Sequence, residues 1–220
     1  MEHPHVIGLL DVCASTPGKE ADGRDLPILV FPRADVDLAT FLNDRPRGVR
    51  PTALARRMMG QLASALAHVH SRGIIHRDVR PGNCLIFFAA EVHEEFLGPG
   101  LVLADFGMAR RVSGDPRSLR CLDAPQRVQP MTAKERTAWY RPPELWVGTM
   151  DDHLIDADQC VEGEETTSYG PSLDVWSFGA VVYEVLSGKI LARRAVSGAA
   201  MVQALADVIG ACPTQGPGAP

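Results

Sequence analysis

The 220-residue chain has no stretch approaching 18 continuous apolar residues, and its start, Met1-Glu2-His3-Pro4, lacks the basic and apolar regions of a signal peptide. A membrane-spanning helix and a secretory leader are therefore not expected, nor a membrane partner. Positive charge is short as well. Twenty-two Lys and Arg against 27 Asp and Glu leave a formal net charge of −5, which argues against a nucleic-acid-binding surface. Five cysteines (Cys13, Cys84, Cys121, Cys160, Cys212) are odd in number and form no Cys-x-x-Cys pair, which disfavours both a disulfide framework and a zinc site. Free thiols in a reducing compartment, cytoplasmic or nuclear, are the expectation. Internal repeats are absent, and the acidic run over 150–166 has no EF-hand spacing, so it reads as a solvated loop. What remains, 45% apolar and 22% charged, is the composition of a globular domain with a sizeable core.

Hydropathy divides the chain unequally. Val6 to Leu10 and Pro27 to Phe31 read as short strands joined by a polar loop from Ala14 to Asp25. From Pro51 the period becomes helical: Leu54, Met58, Leu62, Leu66 and Val69 share one face, and Ser71-Arg72-Gly73 ends that helix with a glycine. Cys84 to Phe88 and Leu101 to Ala104 read as a hairpin. Val175, Phe178, Val182 and Val185 mark a second buried helix, and Met201, Leu205 and Val208 a third. The Gly/Pro tail 213–220 reads as disordered.

The chemistry concentrates in His76-Arg77-Asp78-Val79-Arg80-Pro81-Gly82-Asn83, followed by Asp105-Phe106-Gly107. Singly, these residues are ordinary turn formers. Jointly, four specified residues in a window of eight arise by chance roughly once in 10⁵ positions, and the context of helix before and apolar strand after strengthens the match. The two motifs resemble the catalytic loop and metal-binding turn of protein kinases, and the resemblance implies phosphoryl transfer, with Asp78 as the carboxylate for the acceptor proton and Asn83 and Asp105 as oxygen ligands for Mg²⁺.

The resemblance also implies an α+β, protein-kinase-like fold: a small-lobe remnant over 1–31, a hinge over 32–36, and a large lobe over 37–212. Within the large lobe lie the catalytic loop 76–83, an activation segment 105–144 and the insertion 150–166. It implies ATP and Mg²⁺ as cofactors, and a nucleotide site at Phe31, Pro32, Ala34, Asp37 and Leu85, with adenine held by the Pro32 carbonyl and the Ala34 N–H. Asp78, Arg80, Asn83 and Thr137 are the implied catalytic set. His76, Phe106, Glu144 and Asp174 are structural by the same likeness, Asp174 bracing the catalytic-loop backbone. Pro81 and Thr137 are similar to serine/threonine kinases, and Trp139-Tyr140-Arg141 before Pro142-Pro143-Glu144 resembles the cyclin-dependent and mitogen-activated group. Thr132 has the spacing of that group's activating threonine, with Arg77 as its docking cation and Arg141 in the same regulatory set. The implied partners are protein substrates and a regulatory subunit.

Departures set further expectations. Arg80 stands where these kinases usually carry lysine, and arginine is bulkier. No glycine-rich phosphate loop, strand lysine or helix glutamate is found, and an arginine expected after Pro213 to pair with Glu144 is missing. The chain reads as truncated at both ends, with weakened ATP binding and impaired or no activity by itself. The alternative is a catalytically dead kinase-like lobe acting as a protein-binding module.

Overall fold

In the computed structural model the described residues are 2–14, 27–88, 100–113, 120–121, 139–142, 170–193 and 198–210. Thr132, Thr137, Glu144, the insertion 150–166 and the tail 213–220 lie outside them.

The element order is β1 (Asp11–Ala14), β2 (Pro27–Val30), β3 (Val36–Asp37), α1 (Leu38–Asn43), α2 (Thr52–Ser71) and β4 (Ile74–Ile75). There follow β5 (Cys84–Phe87), β6 (Gly100–Leu103), β7 (Arg110–Ser113), β8 (Arg120–Cys121), α3 (Ser172–Ser187) and α4 (Gly198–Ile209). Among the described residues these strands form three small antiparallel sheets: β1-β2, β3-β5-β6 and β4-β7-β8.

The twenty-residue α2 is the axis of the core. Ala55, Met58, Leu62, Ala65 and Val69 are fully buried at steps of three and four, so one continuous stripe faces inward. Each buried Leu or Met contributes roughly 1.5–3 kcal/mol relative to an exposed side chain. Gly73, with φ 67°, supplies the left-handed residue after the helix end. Strands β5 and β6 pair in the expected hairpin, with Cys84 opposite Leu103 and Phe87 opposite Gly100. Cys84, Ile86, Leu101 and Leu103 are buried on the face toward the core, alternating with half-buried neighbours. One polar group in α2 is buried with purpose: Gln61 Oε1 accepts the Leu101 N–H at 2.9 Å and ties the helix to β6.

The first expected strand is displaced. Val6 forms a parallel bridge with Leu103, with Ile7 N–H donating to the Leu103 carbonyl and Leu103 N–H to that of His5. Ladder pairing with β2 begins only at Leu10, whose N–H reaches the Val30 carbonyl at 2.8 Å, and the strand is Asp11–Ala14. The run Val6 to Leu10 is thus split between two sheets. Val6 is buried while Leu9 and Leu10 are exposed.

The two later helices form with most of the expected residues inward: Val185, Met201 and Leu205 are buried and Phe178 and Val182 pack against the core, while Val175 and Val208 are exposed. In α3, Val175 is 59% exposed, whereas Leu173, Asp174, Ser177, Ala180, Val181, Glu184 and Val185 are buried. The polar members of that set turn inward because partners await them. Ser177 Oγ–H lies 2.8 Å from the Tyr140 carbonyl and 3.0 Å from that of Leu173, and the Tyr140 hydroxyl donates to Glu184 Oε2 at 2.5 Å. In α4, Met201 and Leu205 are buried with Ala192, but Val208 is exposed.

Candidate active site

The segment 76–83 leaves α2 through Gly73 and β4 and returns to the core at β5. Its backbone is bent by Arg77, which adopts a φ of 71°, a left-handed conformation that a non-glycine residue holds only at a cost. Asp174, fully buried at the start of α3, supplies the compensation. Its Oδ2 accepts the His76 N–H and its Oδ1 the Arg77 N–H, each at 2.8 Å. His70 Nε2 adds a third contact, to Oδ2 at 2.8 Å. His70 and Asp174 are 104 residues apart in the chain, so this contact exists only in the fold.

His76 is also fully buried. Its Nδ1 accepts the Asp78 N–H at 3.3 Å, which leaves Nε2 protonated to donate to the Ala104 carbonyl at 3.0 Å. Phe106 packs edge-on against the ring at 4.8 Å between centroids. Burial lowers the His76 pKa, opposed by the Asp174 carboxylate, the Ala104 carbonyl, Asp78 and Asp105. The imidazole is therefore a neutral strut that links the Asp78 backbone to the residue preceding Asp105.

Val79, buried at 1% exposure, pins the loop between Asp78 and Arg80. Both Arg80 Nε (3.1 Å) and Asn83 Nδ2 (2.8 Å) donate to a single carboxylate oxygen, Asp78 Oδ2. Asn83 Nδ2 reaches the Asp78 carbonyl as well, at 2.8 Å. No described residue donates to Asp78 Oδ1. The Asn83 amide is itself buried and held by its nitrogen, so its oxygen is left for another partner. Asp105 is exposed with φ 61°, and its Oδ1 accepts the Gly107 N–H at 3.2 Å.

The residues expected to hold a nucleotide fall on the β2-to-β3 connection (Phe31, Pro32, Ala34), in β3 (Asp37) and in β5 (Leu85). Phe31 is 44% exposed, Pro32 and Ala34 are half-buried, and neither the Pro32 carbonyl nor the Ala34 N–H is hydrogen-bonded among the described residues. Asp37 and Leu85 are direct partners in the β3-β5 ladder. The Asp37 carboxylate caps α1, accepting from Thr40 N at 2.9 Å and Thr40 Oγ1 at 2.7 Å, a helix start that the sequence reading passed over. Arg141 is half-buried beside Tyr140. Among the described residues no helix is long and apolar enough to cross a membrane, and no three His, Cys, Asp or Glu side chains converge as a metal site.

Comparison with known proteins fixes the family. The protein kinase domain model matches residues 1–212, and the chain belongs to that family. Relatives include cyclin-dependent kinase C-1 of Oryza sativa subsp. japonica, 34% identical over 200 residues that cover 86% of this chain and 31% of the relative. Cyclin-dependent kinase 4 of Xenopus laevis is 30% identical over 190 residues, covering 86% of this chain and 46% of the relative. Cyclin-dependent kinase 15 of Danio rerio is 29% identical over 188 residues, covering 86% and 34%. The chain thus spans about a third to just under half of the length of these relatives.

Proposed function

We propose that this chain carries the phosphotransfer centre of a protein serine/threonine kinase that moves the ATP γ-phosphate to protein hydroxyls. The carrying observation is the division of labour on Asp78: Oδ2 is held by Arg80 and Asn83, and Oδ1 is left without a described donor. Such a carboxylate is fixed in direction yet keeps one oxygen to accept the proton of an approaching hydroxyl.

The donor set fits a hard divalent cation. Asn83 offers its amide oxygen and Asp105 its second carboxylate oxygen, the residue types suited to Mg²⁺, with remaining ligands left for phosphate and water. When bound there, the ion would neutralise phosphate charge. The chain's own contributions are three. Asp78 orients and deprotonates the acceptor, and Arg80 keeps its Nη groups, uncommitted among the described residues, for phosphate oxygens. His76, with Phe106 against it, holds the Asp78 backbone in register with the Asp105 turn.

The segment Phe31 to Ala34, with Leu85, is the adenine site of this reading, and Asp37 borders it. Thr137 contributes at the acceptor side. Thr132 is the regulatory phosphosite, its phosphate docking on Arg77 with Arg141 nearby, since a phosphate carries nearly two negative charges. Protein substrates and a cyclin-type regulatory subunit are the partners, in cytoplasm or nucleus.

The test is turnover of a basic protein substrate with Mg²⁺ and ATP by the full-length protein and two variants. Asp105→Asn should abolish transfer with the fold intact. Asp78→Asn should cut turnover severely while changing nucleotide affinity far less. Activity of either variant within tenfold of the unmodified protein would refute the assignment.

A further inference from the structure

Gly82 has no backbone reason to be glycine. It lies in the 3₁₀ turn Pro81–Asn83, and it is absent from the residues with positive φ. A Cβ built on it would meet only one neighbour: Arg80, with Nη1 at 2.7 Å and Cζ at 3.6 Å. The first distance is below any real Cβ contact. The space beside Gly82 is therefore the space in which the Arg80 guanidinium lies.

We propose that Gly82 is a positioning residue: by lacking a side chain it admits the bulkier arginine at 80 in the one arrangement that lets Nε reach Asp78. The backbone on either side of Arg80 cannot adjust instead. Val79 and Pro81 are both buried, and Arg80 itself is extended with φ −159° and ψ 161°. A side chain at 82 would thus be accommodated by rotation of the Arg80 side chain, which is 30% exposed and free to swing outward. Asp78 Oδ2 would then be left with Asn83 as its single side-chain donor. Arginine at 80 and glycine at 82 form one unit: the bulk at 80 is accommodated by the missing side chain at 82.

The catalytic part of this inference rests on Asp78 being the phosphotransfer base, and the test keeps the two apart. In the full-length protein, the Arg80 Nε–H resonance is assigned by its loss in Arg80→Lys and followed for exchange with water. It should be protected in the unmodified protein and move to the solvent-exposed arginine position in Gly82→Ala, with thermal stability essentially unchanged. In turnover, Gly82→Ala should lower kcat by about tenfold or more, the scale of one hydrogen bond to a charged group. In the Arg80→Lys background the same Gly82→Ala change should cost less than about twofold, because the shorter, unforked side chain leaves the space at 82 empty. An Nε–H unaffected by Gly82→Ala, an equal kcat loss in both backgrounds, or misfolding in both would overturn the proposal. An unmodified protein without turnover would refute the assignment of Asp78, while the resonance would still decide the role of Gly82.

Discussion

Asp174 Oδ1 accepts the Arg77 N–H at 2.8 Å, and Arg77 is one of only two described non-glycine residues with positive φ, the other being Asp105. A left-handed residue costs about 1–2 kcal/mol unless its surroundings impose it. The buried carboxylate imposes it here, because rotating Arg77 to an ordinary φ would break two charge-assisted backbone hydrogen bonds and strand a buried charge. Asp174→Ala should therefore destabilise the fold by about 3 kcal/mol or more, since the buried His76 N–H, the part-buried Arg77 N–H and His70 lose their acceptor. Urea denaturation checks it. A loss below about 1 kcal/mol would mean that the loop holds its conformation without the brace.

The neutral His76 makes stability pH-dependent in a stated direction. Its folded pKa lies below the ordinary value of 6.5 because burial outweighs the attraction of Asp174, Asp78 and Asp105. The unfolded chain therefore takes up a proton first as pH falls. The stabilisation is full above 6.5 and is lost progressively below it, as pH falls toward and through the lowered folded value. His5 adds in the same direction, its pKa lowered first by burial and then by His3 and Arg57, against the Leu101 carbonyl. Denaturant midpoints should hold from pH 8 to about 6.5 and fall from there to pH 5.5, with a smaller fall in His76→Gln. An equal slope in that variant would remove His76 from the account.

Contiguity decided what the sequence revealed. Helix α2 and the loop 76–83 were readable because their signals are local: a period of three and four in one, fixed spacing in the other. The β5-β6 hairpin was readable from its alternation. The start of β1 was not, because Val6 and Leu10 look alike in hydropathy but pair with different sheets. The buried face of α3 was readable only in part, for a sharper reason. Hydrophobicity nominated Val175, while the residues turned inward include Asp174, Ser177 and Glu184, whose long-range partners lie 37 to 104 residues away. His70 and Gly82 carry their meaning only through contacts with Asp174 and Arg80 that no spacing rule contains.

Glycines supply a test in which the sign differs between sites. Gly188 ends α3 with φ 73°, and a Cβ there would lie 2.5 Å from the Pro46 carbonyl carbon and 2.6 Å from Gly48 N. Those are backbone atoms, held by the Val49 N–H to Val185 carbonyl bond of 2.7 Å, and cannot swing aside. Gly188→Ala should cost at least about 2 kcal/mol from conformation and overlap together. Gly60 is an exposed helical residue in α2 with nothing within 4 Å of its added Cβ. Gly60→Ala should instead stabilise by about 0.5–1 kcal/mol. Melting curves for the two variants that moved in the same direction would contradict this account.

The β1-β2 ribbon is exposed on both faces. Ile28 (51%), Leu29 (52%) and Val30 (36%) follow one another along β2, and Leu10 (65%) and Val12 (51%) flank them across the ladder. Consecutive residues of a strand point to opposite sides, so neither face of the ribbon is packed on the core cluster, which contains none of these side chains. A two-stranded ribbon is marginal in water, and an apolar edge strand is a template for pairing with another chain. Chain 1–220 should therefore associate in a concentration-dependent manner and bind an apolar dye in its folded state. Leu10→Lys with Leu29→Lys should suppress both, while shifting folding stability by no more than about 0.5 kcal/mol per site, the range for surface substitutions. Light scattering and dye fluorescence across the folded baseline read the first effect, and urea denaturation the second. A stability loss of several kcal/mol would show that these side chains are packed in solution, and undiminished association would move the sticky surface elsewhere.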